Sequence, residues 1–336
     1  MSKLNVAIVG CGAISKVHIQ SIKTLQMSKL SLACDCNEEI AREVAIAENI
    51  DYVTDYKEVL SNASIDVIHI LTPHYLHCQM AKEALEAGKH VVLEKPVGID
   101  YDEMIELVET AKRANVTIGI TLQNRNNATV VKMKELVKSG VLGDFISSKG
   151  LVVWNREEDY YSQSAWRGRL ATEGGGLLIN QAIHILDLME YIGGEVEFIK
   201  GNIMNYNHKD IEVEDTCVAQ FYYKNGGIGN FYGTNNHGID SDVELEFVYE
   251  NATLRLLDHQ LFVNNGTDSK LMCTDLLPSG DKAYWGLGHE SCIKDIYSAI
   301  IESREPKISL NDGIQATMLV LKIYESSRNN KKVKRS

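Results

Sequence analysis

Leu4-Asn5-Val6-Ala7-Ile8-Val9-Gly10-Cys11-Gly12-Ala13-Ile14-Ser15 decides the fold. The run up to Val9 is apolar and β-branched and reads as a buried strand, while the residues from Ser15 onward read as a helix. Gly10 permits the tight turn between them, and Gly12 lets the backbone approach a pyrophosphate. The helix N-terminus behind the turn supplies N–H donors and the positive end of a dipole. Gly10, Cys11, Gly12, Ala13 and Ile14 are therefore expected to hold a dinucleotide. Ser15 stands where the full fingerprint has its third glycine. Asp35 closes the next strand, about 20 residues further on, where a carboxylate accepts from the adenosine ribose hydroxyls and repels a 2′-phosphate. Cys36 and Asn37 follow it, with no arginine beside it, so NAD is expected over NADP.

Outward from this turn, residues 1–122 alternate strand and helix. Leu30–Cys34, Ile65–Leu71, His90–Leu93 and Val116–Thr121 read as further buried strands. Tyr75–Ala87 carries Leu76, Met80, Ala84 and Leu85 on one side and ends at Gly88, a C′ stop. Asp100 with Glu103 reads as a capping box for the next helix. The pattern implies an α/β Rossmann domain with a parallel sheet.

Beyond 122 the pattern changes. Ala128–Ser139 and Leu177–Tyr191 read as helices. Phe145–Val153, Val196–Met204, Thr216–Tyr223, Ile228–Thr234, Val243–Val248 and Thr253–Leu257 read as strands. Asn225-Gly226-Gly227 is a hairpin link, so this sheet should be mostly antiparallel. Helices His289–Glu302 and Asp312–Ser327 close the chain. Residues 123–336 are thus expected to form an α+β C-terminal domain.

At 336 residues the chain is longer than one core usually serves. Its start runs straight into a strand without the features of a signal peptide, and no apolar run reaches membrane-spanning length, so a cytoplasmic, membrane-free protein is expected. The seven cysteines are odd in number and lack a Cys-x-x-Cys pair. Cys34, Cys78 and Cys217 read as small buried hydrophobes. Cys34 and Cys36 would share a strand face, but a metal site needs more ligands nearby, so no metal is expected. The net charge of -12 argues against nucleic acid and anionic lipid as partners. Lys331, Lys332, Lys334 and Arg335 read as a solvated tail.

Three further groups carry chemistry. Thr72-Pro73-His74-Tyr75-Leu76-His77 follows a strand, where ligands of open α/β sheets bind. Thr72, Pro73 and His77 are placed on the cofactor side, with His77 structural rather than catalytic. Glu94-Lys95-Pro96 ends the next strand. A partly desolvated lysine there could exchange a proton with a substrate oxygen. Asn180, His184 and Asp187 lie at i, i+4 and i+7 of an otherwise apolar helix, forming one polar stripe. Asp187 could support His184 or serve packing alone.

Gly10-x-Gly12, His18, Thr72-Pro73…His77 and Glu94-Lys95-Pro96 together resemble the glucose–fructose oxidoreductase, inositol dehydrogenase and rhizopine catabolism family, Gfo/Idh/MocA. Gln123-Asn124-Arg125, Trp166-Arg167-Gly168, Gly174-Gly175-Gly176…Asn180…His184-x-x-Asp187 and Gly288-His289 extend the likeness over nearly the whole chain. The resemblance implies NAD(P) on the Rossmann domain and substrate against a large open-faced sheet. It implies that Lys95 contacts the reacting oxygen and that His184 is the proton acceptor or its close partner. Asparagine cannot act as a base, so Asn180, which is aspartate in many members, is expected to orient the hydroxyl. Glu94, Gln123, Trp166 and Arg167 are placed near the cofactor, and Arg125, Asn155 and Tyr160 near the substrate.

Three activities fit these residues. The first is an NAD-dependent dehydrogenase acting on a secondary alcohol of a sugar, sugar acid, nucleotide sugar or cyclitol. The second cleaves or epimerises a sugar by transient C3 oxidation, with NAD regenerated each turnover. The third is a non-catalytic NAD-binding sensor, which the presence of both Lys95 and His184 disfavours. A homodimer or homotetramer is expected, because one sheet face has no helices left to cover it.

Overall fold

The computed structural model describes residues 3–276 and 288–335. The chain divides into two compact units, one of residues 1–123 with 288–314 and the other of 124–287 with 315–336.

In the first unit, strands β1 (Leu4–Val9), β2 (Ser28–Cys34), β3 (Asp51–Val53), β4 (Val67–Ile70), β5 (His90–Leu93) and β6 (Ile118–Ile120) pair in the order 3-2-1-4-5-6. All five pairings are parallel. This is the doubly wound order with its switch point between β1 and β4. Val6, Ala7, Ile8, Val67, Ile68, Ile70, Val91, Val92 and Leu93 are wholly buried, as strands covered on both faces require. Helices α1 (Ser15–Thr24), α2 (Glu38–Glu48), α3 (Tyr56–Ser61), α4 (His77–Glu86) and α5 (Tyr101–Arg113) connect them. Asn37 and Asp100 cap α2 and α5 by accepting backbone N–H bonds. Gly88 takes the left-handed conformation one residue past the cap of α4, as its sequence position predicts.

The expected division at 122/123 is corrected by the return of residues 288–314 to this unit. Helix α9 (Gly288–Glu302) lies on β6, where a Cβ at Gly119 would stand 2.5 Å from Ile296. Tyr297 of α9 is fully buried, and its hydroxyl lies 2.7 Å from His69 Nε2. A helix read only by its own periodicity gives no hint of which core it joins.

The second unit is built on a nine-stranded sheet. Its strands are β7 (Phe145–Val153), β8 (Val196–Met204), β9 (Thr216–Tyr223), β10 (Ile228–Thr234), β11 (Glu244–Tyr249), β12 (Thr253–Leu257), β13 (Gln260–Asn264), β14 (Ser269–Thr274) and β15 (Val333–Lys334). The order is 14-13-12-11-7-10-9-8-15, antiparallel except for the β7–β10 pair. Cys217, Ala219 and Phe221 of β9 and Leu245 and Phe247 of β11 are buried on the inner face. Helix α8 (Ile183–Gly193) covers it closely: a Cβ at Gly150 of β7 would meet Met189 at 2.6 Å. On the other face Ile146, Val218, Ile228 and Tyr232 are exposed, so the sheet is open-faced within this unit. The described residues also form helices α6 (Ala128–Lys138), α7 (Glu158–Ser162) and α10 (Leu310–Asn329).

Two smaller expectations are corrected. The basic tail is not wholly solvated: Val333 pairs with Ile199, and Arg335 is buried against Glu190 and Gln315. Cys34 is buried and Cys36 exposed, because β2 ends at Cys34 and strand alternation ends with it. Among the described residues no helix is long and apolar enough to cross a membrane.

Candidate active site

At the switch point Gly10 has φ +94°, and a Cβ there would stand 2.6 Å from Leu71 O. The turn therefore crosses the end of β4 at a distance only glycine allows. Around Gly12 nothing lies within 4 Å of an added Cβ. Gly12 and Ala13 are exposed and Ile14 half-buried, while the N-terminus of α1 has no side-chain cap and no acidic residue in its first turn. An open glycine before an uncapped helix start fits a dinucleotide pyrophosphate. Asp35 accepts from Cys11 N at 2.9 Å and from Asn37 N at 2.9 Å, so this carboxylate braces the glycine turn. The Cys11 side chain points inward to Cys34 O, and burial and then the Asp35 charge push its thiol up to about 12. Cys11 thus contributes backbone, not thiol chemistry.

Thr72 and Pro73 follow β4 and are half-buried. His77 is buried, with Nδ1 2.6 Å from Pro96 O and Nε2 2.8 Å from Thr72 O. It ties the Thr72 turn to the Lys95 turn, and burial lowers its imidazole. Lys95 is half-buried, and its backbone N donates to Glu94.

Glu94 is buried in a chain of polar groups whose mutual bonding no sequence motif shows. Its Oε1 accepts from Thr121 Oγ1 at 2.5 Å and from His18 Nε2 at 3.0 Å. His18 Nδ1 lies 2.8 Å from His69 Nδ1, and His69 Nε2 2.7 Å from the Tyr297 hydroxyl. With Glu94 ionised, His18 Nε2 carries the proton. Burial acts to raise the Glu94 carboxyl, but His18, His289 and Lys95 together hold it well below the carboxylate range. Burial pushes His289 down to about 4, against the pull of Glu94. The ligand-type atoms of His18, Glu94 and His289 lie within 4.8 Å of one another, and the His18–Glu94 bond makes this cluster a hydrogen-bond network. His69, inside a run read only as a strand, left no signal beyond being a polar residue in an apolar segment.

In the second unit the helix expected to run unbroken from Leu177 opens with a π turn, Leu178–Ala182, before α8 begins. Asn180 lies in that turn, half-buried, and His184 in the first turn of α8, 9% exposed. The i, i+4 spacing assumed an α-helix throughout, and the wider turn offsets Asn180 from it. Glu214, just before β9, is fully enclosed and holds the segment, accepting from Gly176 N at 2.9 Å, Leu178 N at 2.8 Å and the Tyr324 hydroxyl at 2.9 Å. A Cβ at Gly176 would meet Glu214 O at 2.1 Å, which explains the glycine run. Glu173 carries the other end. Its Oε2 accepts from Gly168 N at 2.6 Å and its Oε1 from Asn180 Nδ2 at 2.5 Å. Burial raises its carboxyl to about 7 despite these bonds.

Around Asn180 the polar groups are fixed by one another. The Tyr160 hydroxyl accepts from Gln181 Nε2 at 2.9 Å and Asn180 Nδ2 at 3.3 Å. Asn235 Nδ2 donates to Tyr161 and to Gln181 Oε1, both at 3.2 Å. The Arg167 guanidinium lies over the Tyr160 ring, 4.3 Å from its centre, and Trp166 O accepts from Thr172. Asn155 sits at an isolated bridge to Asn236, with its N–H donating to Asp240. Arg125 grips Asp187 through two bonds of 2.9 and 2.6 Å and lies over the Tyr191 ring. Asp187 thereby takes part in the strong bidentate pairing of arginine and carboxylate. Gln123 is buried in the short 3₁₀ turn Gln123–Asn126. The structure thus brings Asn180, Tyr160 and Arg167 together in one unit, and Asp35 and Cys11, or His77, Thr72 and Pro96, in the other.

Residues 4–122 match the oxidoreductase family with an NAD-binding Rossmann fold, and residues 130–255 match the GFO/IDH/MocA C-terminal domain. An oxidoreductase of Bacillus subtilis (strain 168), YrbE, is 30% identical over 71% of this chain and 70% of its own length. The chain belongs to the Gfo/Idh/MocA family. NAD is its cofactor, and the Rossmann unit described above is the NAD-binding unit of the family. The levoglucosan dehydrogenase of Pseudarthrobacter phenanthrenivorans is 24% identical over 97% of each chain. Among solved structures, the WlbA dehydrogenase of Bordetella pertussis, crystallised with NADH and UDP-GlcNAcA, superposes with a TM-score of 0.90. It is 27% identical and covers 99% of this chain and 98% of that one. The six-stranded parallel sheet and the large mostly antiparallel sheet are those of a Gfo/Idh/MocA dehydrogenase.

Proposed function

We propose that this family member oxidises a secondary hydroxyl on a polyhydroxylated ring: a sugar, sugar acid, nucleotide sugar or cyclitol. The observation that carries the reading is the fixed polar shell around Asn180. Gln181 bonds to Tyr160 and Asn235, and the Asn180 amide bonds to Tyr160 and Glu173, so these side chains are held in set directions. Several directed polar groups suit several ring hydroxyls better than an aldehyde or an apolar alcohol. The relatives named for levoglucosan and for UDP-GlcNAcA support the same class.

NAD, when bound, supplies the hydride acceptor. Lys95 contacts the reacting oxygen. Asn180 orients the hydroxyl, and His184 takes its proton. Burial of the Glu94 network fixes the strand end that carries Lys95. Gly10 to Ile14 and Asp35 bind the dinucleotide, with Thr72, Pro73, Gln123, Trp166 and Arg167 beside it. Self-association through the open sheet face is part of the reading, supported by exposed Ile146, Val218, Ile228 and Tyr232.

Steady-state kinetics on a panel of myo-inositol, levoglucosan, methyl glucoside and glucuronate test the roles. Lys95→Ala and His184→Ala are each expected to lower turnover by at least ~10²-fold, with NAD affinity little changed in His184→Ala. Near-normal turnover in either variant removes that residue from the chemistry.

A further inference from the structure

Arg167 is a charge without a counter-charge. Arg125, Arg156 and Arg169 each hold a carboxylate: Asp187 at 2.6 Å, Asp240 at 3.1 Å and Glu212 at 3.1 Å. Among the described residues Arg167 holds none. Its Nε is buried with no hydrogen-bond partner among them. Its Nη1 makes one long bond of 3.4 Å to Tyr160 O, and its Nη2 makes none among the described residues. Glu173 feels the Arg167 charge without forming an ion pair with it. A guanidinium stripped of water at one end and left without an acceptor carries a cost that a bound anion recovers.

A second guanidinium shares the same ring. Arg167 lies 4.3 Å from the centre of the Tyr160 ring and Arg156 5.6 Å from it. The side-chain bonds of Arg156 all run through Nη1, to Asn155 O at 2.5 Å and to the two Asp240 oxygens at 3.1 and 3.2 Å. Its Nε–Nη2 edge therefore meets no acceptor among the described residues, and that edge matches both oxygens of a carboxylate. The Tyr160 hydroxyl accepts from Asn180 and Gln181, so both charges border the polar shell around Asn180. Resting on the reading that a sugar or cyclitol ring binds against this shell, we propose that Arg156 and Arg167 form an anion site for a carboxylate on the substrate. The substrate is then a sugar acid, free or nucleotide-linked, rather than a neutral sugar or cyclitol. Asp240 offsets one of the two charges. The one that remains is balanced by a singly charged carboxylate, whereas a diphosphate would overshoot it.

Two matched pairs isolate the carboxylate: glucuronate against glucuronamide, and UDP-glucuronate against UDP-glucose. In at least one pair the acid should have the higher kcat/KM by roughly 10–150-fold, the range of a hydrogen bond to a charged group. Most of the difference should lie in KM, and the KM of the acid should rise with added salt. In Arg167→Gln and in Arg156→Gln the acid-to-neutral ratio should fall toward one, and a ratio cancels any general loss of activity. Equilibrium dialysis of the same four compounds against the NADH-loaded protein repeats the comparison without turnover. If the neutral member of both pairs is bound and used as well as the acid, the proposal is overturned while the ring-alcohol reading stands. If the variants weaken NAD binding and keep the acid preference, the anion is a dinucleotide phosphate and the proposal is overturned as well. If the acid is bound selectively but no sugar is oxidised, the anion site is upheld and the fault lies in the reading it rests on.

Discussion

Gly10 and Gly12 stand two residues apart in one turn, yet substitution should affect them through different quantities. At Gly10 a methyl group meets Leu71 O at 2.6 Å, Leu71 C at 2.7 Å and Thr72 N at 3.0 Å. These are backbone atoms of the neighbouring strand end and cannot rotate aside. The left-handed φ costs about 1–2 kcal/mol for an L-residue, and forcing extra volume into a packed site about 1–3 kcal/mol more. Gly10→Ala should therefore lose about 2–5 kcal/mol of stability, lowering Tm by roughly 4–20 °C for a unit of this size. At Gly12 the methyl group meets nothing in the apoprotein. Gly12→Ala should melt within about 1–2 °C of the wild type, since harmless Gly→Ala changes alter stability by at most about 1 kcal/mol. With the pyrophosphate bound at this turn as proposed, the methyl group takes up its space, and an overpacking cost of about 1.4–3 kcal/mol translates into roughly 10–150-fold weaker NAD binding. Circular dichroism melts without NAD and isothermal titration with NAD separate the two effects. A Gly10→Ala protein as stable as the wild type, or a Gly12→Ala protein binding NAD as tightly, would show that the turn is not packed and open at these two positions.

Asp35→Ser removes the carboxylate that would face a 2′-phosphate, and the ratio of kcat/KM for NAD over NADP should fall toward one; because Asp35 also braces Cys11 N, Tm should fall too. His289, held at about 4 in the folded protein against about 6.5 in the unfolded chain, binds its proton later on acidification than the unfolded state does. Its contribution of about 3 kcal/mol is complete above pH 6.5 and is lost as pH falls through 4. Urea titrations at pH 7 and pH 4.5 should show that loss, and His289→Gln should flatten it. Arg125→Ala leaves a buried Asp187 carboxylate without its bidentate partner and should cost about 3–5 kcal/mol, read by the same titrations.

The Rossmann unit was legible because its signals are local. A parallel strand covered on both faces is a continuous apolar run, and the glycine turn sits between strand and helix where the ligand must be. β3 was not legible, since Asp51–Val53 is too short to show alternation. β13 and β14 follow β12 with half-exposed, mixed residues that give no clear period. β15 is two residues whose pairing with β8 depends on Ile199 and Phe198 far back in the chain. At the site, Lys95, Asn180 and His184 could be named from motif and spacing. Glu173, Glu214 and the His18–His69–Tyr297 chain could not. Their importance comes from burial and from partners up to 228 residues away, which no window of sequence contains.

In the proposed reaction, hydride leaves a secondary ring carbon for NAD. Incubating the protein with NAD and ring-deuterated members of the sugar and cyclitol panel, followed by mass analysis of the cofactor, tests it most directly. Deuterium from one secondary carbon, C3 in a pyranose, should accumulate in NADH in step with substrate loss, with a primary isotope effect on the rate. Label washed into water without NADH accumulation would replace it with transient oxidation, and turnover confined to simple primary alcohols or aldehydes would contradict it outright.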